Sequence, residues 1–373
     1  MKPQVRPETL AAQALHAIDP ATGAIVPPIQ LATTYARDAS YELIANRDYT
    51  RDKNPTPLHA EQLLAALEGG AAALVHASGM AAATSVFRAL LAPGDHALAP
   101  TVGYFALRNW IARFAARWGV HVTFVDMADL GAVRAALTDK TKLVWLETPA
   151  NPTWDVCDIA AIAELAHARG ARLAVDSTCA TPVHTRPLAL GADLVMHSAT
   201  KYLGGHSDVL AGALVTAKQD DAWAEIAQIR HDEGAVLGPV EAWLLLRGMR
   251  TLYARVERQS RTAQYLAMQL SSRGIRVDYP GLPSHPHHAV AVRQMQGGFG
   301  GMLSIRVADP VAVVKRLRVW VPATSLGGVE SLIEHRATVE GPTSPTPHEL
   351  LRLSVGLEHE DDLLTDLVQA IRG

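Results

Sequence analysis

The stretch DLVMHSATKYLGGHSD (193–208) joins a short apolar run to a polar segment that contains Lys201. The run DLVMH (193–197) is typical of a buried strand, and similar runs recur along the chain. They are ALVHA (73–77), HALAP (96–100), HVTFV (121–125), KLVWLE (142–147), RLAVD (172–176) and GALVT (212–216). Helix-length segments rich in Ala and Leu separate the runs. We therefore predict buried parallel strands within an α/β fold whose seven-stranded sheet is mostly parallel.

Polar segments directly follow four of these strands. They are SGM (78–80), ETPANP (147–152), DST (176–178) and HSATK (197–201). Ligands of open α/β sheets bind outside the carboxyl ends of the strands. We therefore expect one ligand site where the four loops converge.

Asp176 and Lys201 are the two residues in these loops with a specific chemical pairing. Pyridoxal 5′-phosphate (PLP) needs an amine to carry its aldehyde and a carboxylate to keep its pyridine nitrogen protonated. A lone Lys or Asp is more often a solvated helix-end residue or a turn residue. Because both follow strands of one sheet, twenty-five residues apart, we predict a PLP site in which Asp176 and Lys201 take these roles.

Composition limits the class of protein. The chain has 373 residues, of which 49% are hydrophobic, and its formal net charge is −3. It can bury one large or two moderate cores. No basic stripe indicates a nucleic-acid partner, and no apolar run approaches the roughly 20 residues that a bilayer requires. The N-terminus lacks the apolar core of a signal peptide, so we expect a cytoplasmic protein with a small-molecule substrate.

The two cysteines, Cys157 and Cys179, cannot make a disulfide framework, and we expect both thiols to be reduced. No CxxC or His/Cys ligand spacing surrounds either residue. We therefore expect neither a catalytic nor a metal-binding role for them.

The pattern changes after Gly238, which divides a large domain (51–236) from an α+β C-terminal domain (237–373). The segment 239–274 is helical with a break near Gly248. Strand-like runs IRVDYP (275–280), GMLSIRVA (301–308) and LRVWVPA (317–323) precede a last helix, EDDLLTDLVQAIR (360–372). The connection LPSHPHHAVAVRQMQGGFGG (282–301) contains three closely spaced His, but it lacks nearby Cys or carboxylate partners, so we expect no metal. Its GGFGG run indicates a turn or bulge, because a phosphate loop lies between strand and helix.

Eight motifs, spread over nearly the whole chain, carry a family resemblance. They are YTRDKNPT (49–56), HASGMAA (76–82), ETPANPT (147–153), VDSTCATP (175–182), HSATKYLGGHSDVLAG (197–212), LLLRGMRTL (244–252), SLGGVESLIEH (325–335) and RLSVGLE (352–358). The chain resembles the Cys/Met-metabolism family of PLP-dependent enzymes, which includes cystathionine γ-synthase, cystathionine β- and γ-lyases, methionine γ-lyase and homoserine sulfhydrylases. The resemblance implies the fold of PLP-dependent transferases of fold type I, the aspartate-aminotransferase-like fold.

The resemblance also implies residues that hold the cofactor. Backbone N–H groups of Gly79 and Met80, at a helix start, would bind its phosphate. Further cofactor contacts would come from Tyr104, Asn151, Thr178, Ser198 and Thr200. Tyr104, in VGYFALRNW (102–110), would stack on the ring and assist catalysis, although a helix-start core Tyr is the alternative.

Tyr49 and Arg51 resemble a pair that reaches the cofactor phosphate of the neighbouring subunit. Arg suits a phosphate because its fork donates two hydrogen bonds. The resemblance thus implies an N-terminal arm (1–50) against a neighbour, in a homo-oligomer built as a dimer of dimers. The alternative for Tyr49 and Arg51 is a surface turn before Pro55.

Substrate contacts follow from the same resemblance. Arg352 resembles the arginine that clamps the α-carboxylate of an amino acid, although a structural salt bridge is the alternative. Asn151, Ser325, Tyr49 and Thr324 are the other residues implied at the substrate, and Asn151 and Ser325 could otherwise be turn residues.

The reaction subtype stays open at the level of sequence. Thr324 and Ala106 depart from the residues that standard subtypes carry at these places. Asp232 and Glu233, in RHDEGA (230–235), would meet a cationic distal end of the substrate unless they are a solvated helix terminus. We expect first a C–S lyase acting on cystathionine or a related sulfur amino acid, with Lys201 as the base. The alternatives are γ-replacement on an O-acylhomoserine, and a catalytically silent PLP-binding regulator.

Overall fold

The computed structural model describes residues 5–341 and 346–373. Helices α1 to α15 span Pro7–Gln13, Thr50–Lys53, Pro55–Glu68, Gly79–Leu90, Phe105–Trp118, Leu130–Ala136, Ile159–His167, Thr181–His184, Asp221–Glu233, Pro239–Met249, Leu252–Ser271, His288–Gln294, Pro310–Arg316, Arg336–Glu340 and Glu360–Arg372. Strands β1 to β12 span Ala72–His76, His96–Pro100, His121–Val125, Thr141–Glu147, Arg172–Asp176, Leu194–His197, Gly212–Thr216, Arg276–Asp278, Met302–Arg306, Val321–Pro322, Leu332–Glu334 and Leu350–Ser354. Within the described ranges, no helix combines the length and the apolar character needed to cross a membrane.

The first sheet contains the seven predicted strands in the order β1-β7-β6-β5-β4-β2-β3. The prediction of a mostly parallel α/β sheet is confirmed. The prediction that GALVT (212–216) runs parallel is wrong, because β7 pairs antiparallel with both β1 and β6. Parallel neighbours need a long crossover, usually a helix, whereas the connection 198–211 between β6 and β7 contains only turns.

β3 differs from the prediction in its burial. It lies at the edge of the sheet and pairs only with β2 among the described strands. His121 and Thr123 are exposed, whereas Val125 is buried. Its alternation of Val, Thr and Phe therefore serves an edge strand and not a fully buried one.

Helices cover both faces of the first sheet. On one face, Phe87 of α4 packs against Trp145 of β4, with ring centroids 5.3 Å apart. On the other face, Ile162 of α7 and Val175 of β5 belong to one buried cluster. Because both faces are buried, the inner strands can be apolar on each side, which explains their continuous apolar runs.

The second sheet has the order β10-β11-β12-β9-β8 and packs against α11 and α15. The predicted long helix forms as α10 and α11, with its break at 250–251. Gly248 allows α10 to contact the loop after Lys201, since a Cβ there would lie 2.1 Å from the Gly204 carbonyl oxygen. The predicted strand LRVWVPA shortens to β10, and the connection 282–301 contains α12.

Candidate active site

The four polar loops converge on a cavity of about 200 Å³ between the two sheets. Most of the predicted site residues line it: Gly79, Met80, Tyr104, Asn151, Asp176, Thr178, Ser198, Thr200, Lys201, Thr324, Ser325 and Arg352. The carboxyl ends of β4, β5 and β6 supply one wall, and β12 supplies Arg352 from the other sheet. The topology therefore brings residues from distant parts of the chain into one place.

Lys201 lies in the loop after β6, and its Nζ donates a hydrogen bond to Ser325 Oγ at 2.9 Å. Thr200 holds this loop, because its hydroxyl donates to the Ala211 carbonyl at 3.1 Å and accepts from the Ala211 N–H at 3.0 Å. Burial lowers the pKa of Lys201, and the nearby Arg352 guanidinium lowers it further. The amine is therefore easier to deprotonate than an exposed lysine.

Asp176 ends β5 and is held by Thr178. The Thr178 N–H and hydroxyl both donate to Asp176 Oδ1, at 3.0 Å and 2.5 Å. Thr178 Oγ1 in turn accepts from the Ser198 N–H at 2.8 Å, so this threonine links the loops after β5 and β6. Both hydrogen bonds that Asp176 accepts from described residues fall on Oδ1, which leaves Oδ2 for a cationic group of a ligand.

The start of α4 provides a site for an anion. Ser78 caps this helix by accepting from the Ala81 N–H at 3.1 Å. Gly79 brings the helix start against Ser198, since an added Cβ would lie 3.0 Å from the Ser198 side chain. Free N–H groups and the helix dipole favour a phosphate here. With Lys201 for an aldehyde and Asp176 for a pyridinium, the donor set of the cavity fits PLP.

Glu147, at the end of β4, lines the cavity and was not predicted as a site residue. Its carboxylate accepts from the Tyr104 N–H at 2.7 Å and from the Asn151 N–H at 3.0 Å. Burial, and then the neighbouring Asp176 carboxylate, raise the pKa of Glu147 to about 8. Burial also raises the pKa of Asp176, against the lowering effect of its hydrogen bonds from Thr178. Because two adjacent buried carboxyl groups disfavour a double negative charge, a proton on Glu147 favours ionisation of Asp176.

Arg352 is held in a buried network. Its Nη2 lies 2.5 Å from Glu334 Oε2 and donates to the Ser325 carbonyl at 2.7 Å. Its Nη1 donates to Asn151 Oδ1 at 3.3 Å. Burial lowers the pKa of Arg352 to about 10, so the guanidinium stays charged at neutral pH.

Arg336 also lines the cavity, and it too was not predicted. It forms ion pairs with Glu334, at 3.1 Å, and with Glu340. Thr324 joins the same network, because its hydroxyl donates to Glu334 Oε1 at 2.7 Å. Glu334 therefore connects Thr324 to the two arginines of the cavity wall.

Tyr104 precedes the first residue of α5 and lines the cavity with 45% of its surface exposed. This position does not match a core tyrosine. Its backbone is tied to Glu147, while its ring is free to contact a ligand.

Tyr49 and Arg51 lie outside the cavity. Tyr49 is 44% exposed, and the Arg51 guanidinium lies 5.5 Å from the centre of its ring. Asp232 and Glu233 also lie elsewhere, at the end of α9, where Asp232 accepts from Gln228 at 2.8 Å and Glu233 pairs with Arg88. Within one chain, the structure does not bring these four residues to the ligand site.

Cys157 and Cys179 are free and buried. Cys179 lines the cavity, and Cys157 lies behind it on the loop after β4. Burial raises the pKa of both thiols. Neither residue is therefore a thiolate nucleophile at neutral pH.

Comparisons with known proteins agree with this geometry. The family model for Cys/Met metabolism PLP-dependent enzymes matches residues 8–372. Cystathionine gamma-synthase from Mycobacterium tuberculosis is 46% identical over 376 residues, covering 98% of this chain and 96% of the relative. Cystathionine gamma-lyase from Dictyostelium discoideum is 40% identical over 367 residues, covering 95% of this chain and 94% of the relative.

The crystal structure of metB from Corynebacterium glutamicum is similar over 99% of this chain and 98% of its own, with a TM-score of 0.95 and 40% identity. The predicted fold type I, the PLP cofactor and the action on sulfur amino acids are thereby confirmed. The chain belongs to the Cys/Met-metabolism family of PLP-dependent enzymes.

Proposed function

We propose that the protein is a C–S lyase of the cytoplasm that cleaves cystathionine or a related sulfur amino acid to a thiol, ammonia and a 2-oxo acid. The observation that carries this proposal is the convergence of Lys201, Asp176 and Arg352 on one cavity. Together they supply a base, a carboxylate for the cofactor ring and a clamp for an amino acid carboxylate.

We assign binding of the substrate and of the cofactor to different residues of the chain. Arg352 would hold the substrate α-carboxylate through its charge and its remaining N–H group, and would so fix which bond at Cα is activated. Gly79, Met80 and Ser198 hold the phosphate of the cofactor. PLP, when bound, accepts the electron pair released at Cα, which no side chain of the protein can do.

Lys201 would move the protons. Its amine would remove the Cα proton of the substrate, and the hydrogen bond from Lys201 Nζ to Ser325 Oγ would hold that amine in place. For a leaving group on Cβ, one proton transfer suffices before the thiol departs. For a leaving group on Cγ, a Cβ proton must also be removed, so the same amine would serve twice.

A second candidate is γ-replacement, in which the thiol of cysteine replaces the acyloxy group at Cγ of an O-acylhomoserine, giving cystathionine and a free carboxylate. The specific observation in its favour is the 46% identity to a relative named cystathionine gamma-synthase, against 40% to one named cystathionine gamma-lyase. Both reactions use the same Lys201, Asp176 and Arg352 set. They differ in whether a thiol is consumed or released.

One experiment separates the two. The PLP-loaded enzyme is incubated with cystathionine, methionine, homocysteine or O-succinylhomoserine, with and without cysteine, and 2-oxo acid, thiol and cystathionine are measured. A lyase forms 2-oxo acid and thiol from cystathionine without added cysteine. If the only reaction is formation of cystathionine from O-succinylhomoserine and cysteine, with no 2-oxo acid or thiol released from cystathionine, the lyase proposal is contradicted and γ-replacement is favoured.

We further propose a homo-oligomer, built as a dimer of dimers, in which Tyr49 and Arg51 contact the cofactor phosphate in the neighbouring subunit. The support is their exposure together with their distance from the cavity of their own chain. The exposed cation of Arg51 is free of any ion pair to a described residue, so it is available to an anion of a second chain.

A further inference from the structure

Asp155, His285 and His287 form a cluster away from the PLP cavity. Asp155 lies on the loop after β4 of the first sheet, whereas His285 and His287 lie on the connection between β8 and α12. One potential ligand atom from each residue lies within 4.8 Å of the other two. From this geometry, we propose that the cluster binds one divalent transition metal ion of the zinc class and thereby links the two halves of the chain.

The spacing within the cluster matches ligands of a shared ion. His287 Nδ1 lies 3.3 Å from Asp155 Oδ1. Two ligands that bind one tetrahedral zinc at about 2.0–2.1 Å stand about 3.3 Å apart. The His287 Nδ1 atom is buried and makes no aligned hydrogen bond to a described residue. An ion between the two atoms would satisfy both.

Neighbouring groups orient Asp155. The Thr153 hydroxyl donates to Asp155 Oδ2 at 2.5 Å, which leaves Oδ1 toward His287. The Asp155 backbone is fixed as well, because its carbonyl accepts from the Ala150 N–H at 2.9 Å. Hydrogen bonds of this kind are typical of metal-binding carboxylates. His285 is 7% exposed, and its Nδ1 accepts from the His287 N–H at 3.2 Å, so this hydrogen bond must break before the ring offers a nitrogen lone pair to an ion.

The ligand types define the class of ion. Two imidazoles and one carboxylate suit Zn²⁺, Co²⁺ or Ni²⁺, whereas Mg²⁺ and Ca²⁺ prefer oxygen ligands alone. The site lies on the same loop as Asn151 but does not line the PLP cavity. Its expected effect is therefore on the stability of the joint between the sheets, and it does not depend on which reaction the enzyme catalyses.

The test uses tag-free, PLP-loaded enzyme that has been freed of metal with a chelator. Wild-type protein should bind one Zn²⁺ per chain by titration calorimetry and gain thermal stability, and Co²⁺ should give a visible absorption band apart from that of the cofactor. Asp155→Asn and His287→Gln should each weaken zinc binding by at least about tenfold, as loss of even an outer-shell partner does. His288→Gln, whose ring bonds the Pro280 carbonyl outside the cluster, is the matched control and should bind like the wild type.

Binding of zinc by Asp155→Asn and His287→Gln as tightly as by the wild type would overturn the proposal. Failure of the wild type to bind zinc would overturn it as well. In either case the cluster would be a histidine–carboxylate ion pair only. The variants keep the whole PLP site, so the outcome is independent of any failure of the proposed lyase activity.

Discussion

Glu334 on β11 and Arg352 on β12 are direct cross-strand partners, and Glu334 Oε2 lies 2.5 Å from Arg352 Nη2. Both side chains are 4% exposed. The pair neutralises and orients the arginine that we propose for the substrate carboxylate. A buried cation without its partner is costly, so the pair couples the stability of the second sheet to the substrate site.

Glu334→Gln is expected to destabilise the protein, because Arg352 and Arg336 both lose their shared counter-charge. Removal of one partner of a buried ion pair costs about 3–5 kcal/mol. Urea unfolding of the variant measures this loss. Glu330→Gln, a change to a carboxylate that pairs with Ser207 at an exposed position, is the control. A loss below about 1 kcal/mol for Glu334→Gln, the size typical of exposed pairs, would contradict the coupling.

Ser325→Ala tests the positioning of the proposed base. Without the 2.9 Å hydrogen bond, the Lys201 amine is held less well during proton transfer. A hydrogen bond to a charged group is worth about 1.5 kcal/mol, so kcat should fall about tenfold while KM changes little. Steady-state kinetics on the best substrate measure both, with Ser272→Ala at the exposed end of α11 as control. A rise in KM with unchanged kcat would show that Ser325 only binds substrate.

Glu147→Gln should change how stability depends on pH. The pKa of Glu147 is raised from 4.5 to about 8 in the folded chain, so between these values the folded state holds a proton that the unfolded state has lost. Wild-type stability therefore falls as pH rises through this window, whereas glutamine cannot ionise. As pH rises, the free energy of unfolding of Glu147→Gln should therefore increase relative to that of the wild type, by up to about 1.4 kcal/mol per pH unit.

Thermal or urea unfolding of cofactor-free protein at several pH values between 5 and 8 measures this difference in stability between the variant and the wild type. Glu164→Gln, at an exposed position of α7, provides the control. A difference between Glu147→Gln and wild type that stays constant with pH would show that Glu147 is ionised throughout, contrary to the expected effect of burial.

Hybrid oligomers test the role of Arg51. If it serves the neighbouring site, mixing Arg51→Ala chains with Lys201→Ala chains should restore part of the activity, because one site of a mixed dimer keeps both residues. Each variant alone should be far less active than the mixture. No recovery, in hybrids shown to form by native mass spectrometry, would place Arg51 in the function of its own chain.

The fold was largely predictable because its inner strands are apolar on both faces and its loops are polar at one end. The direction of β7 was not, since an apolar run such as GALVT looks the same in either direction. β11 and β12 were also missed as strands. β11 has only three residues, and β12 overlaps its motif segment over three residues; each strand carries a charged residue of the site network, Glu334 on β11 and Arg352 on β12.

The site was predictable where a residue type has one common chemical use, as for Lys201 and Asp176. Glu147 gave a weak signal, since it ends a strand in the same way as Asp176. Arg336 and Asp155 gave no such signal, because the role of each depends on residues that are distant from it in the sequence. We expected no metal at His285 because no carboxylate lies near it in the sequence. Asp155, which is 130 positions away in the chain, supplies that carboxylate in the folded structure.

We propose above all that Lys201 is the lysine that carries PLP. The direct measurement is reduction of the purified PLP-loaded enzyme with borohydride, followed by proteolysis and mass spectrometry of the labelled peptide. We predict a pyridoxyl group on Lys201, and loss of both the label and the visible absorbance of the lysine-bound cofactor in Lys201→Ala. A label on another lysine, with the absorbance kept in Lys201→Ala, would contradict it.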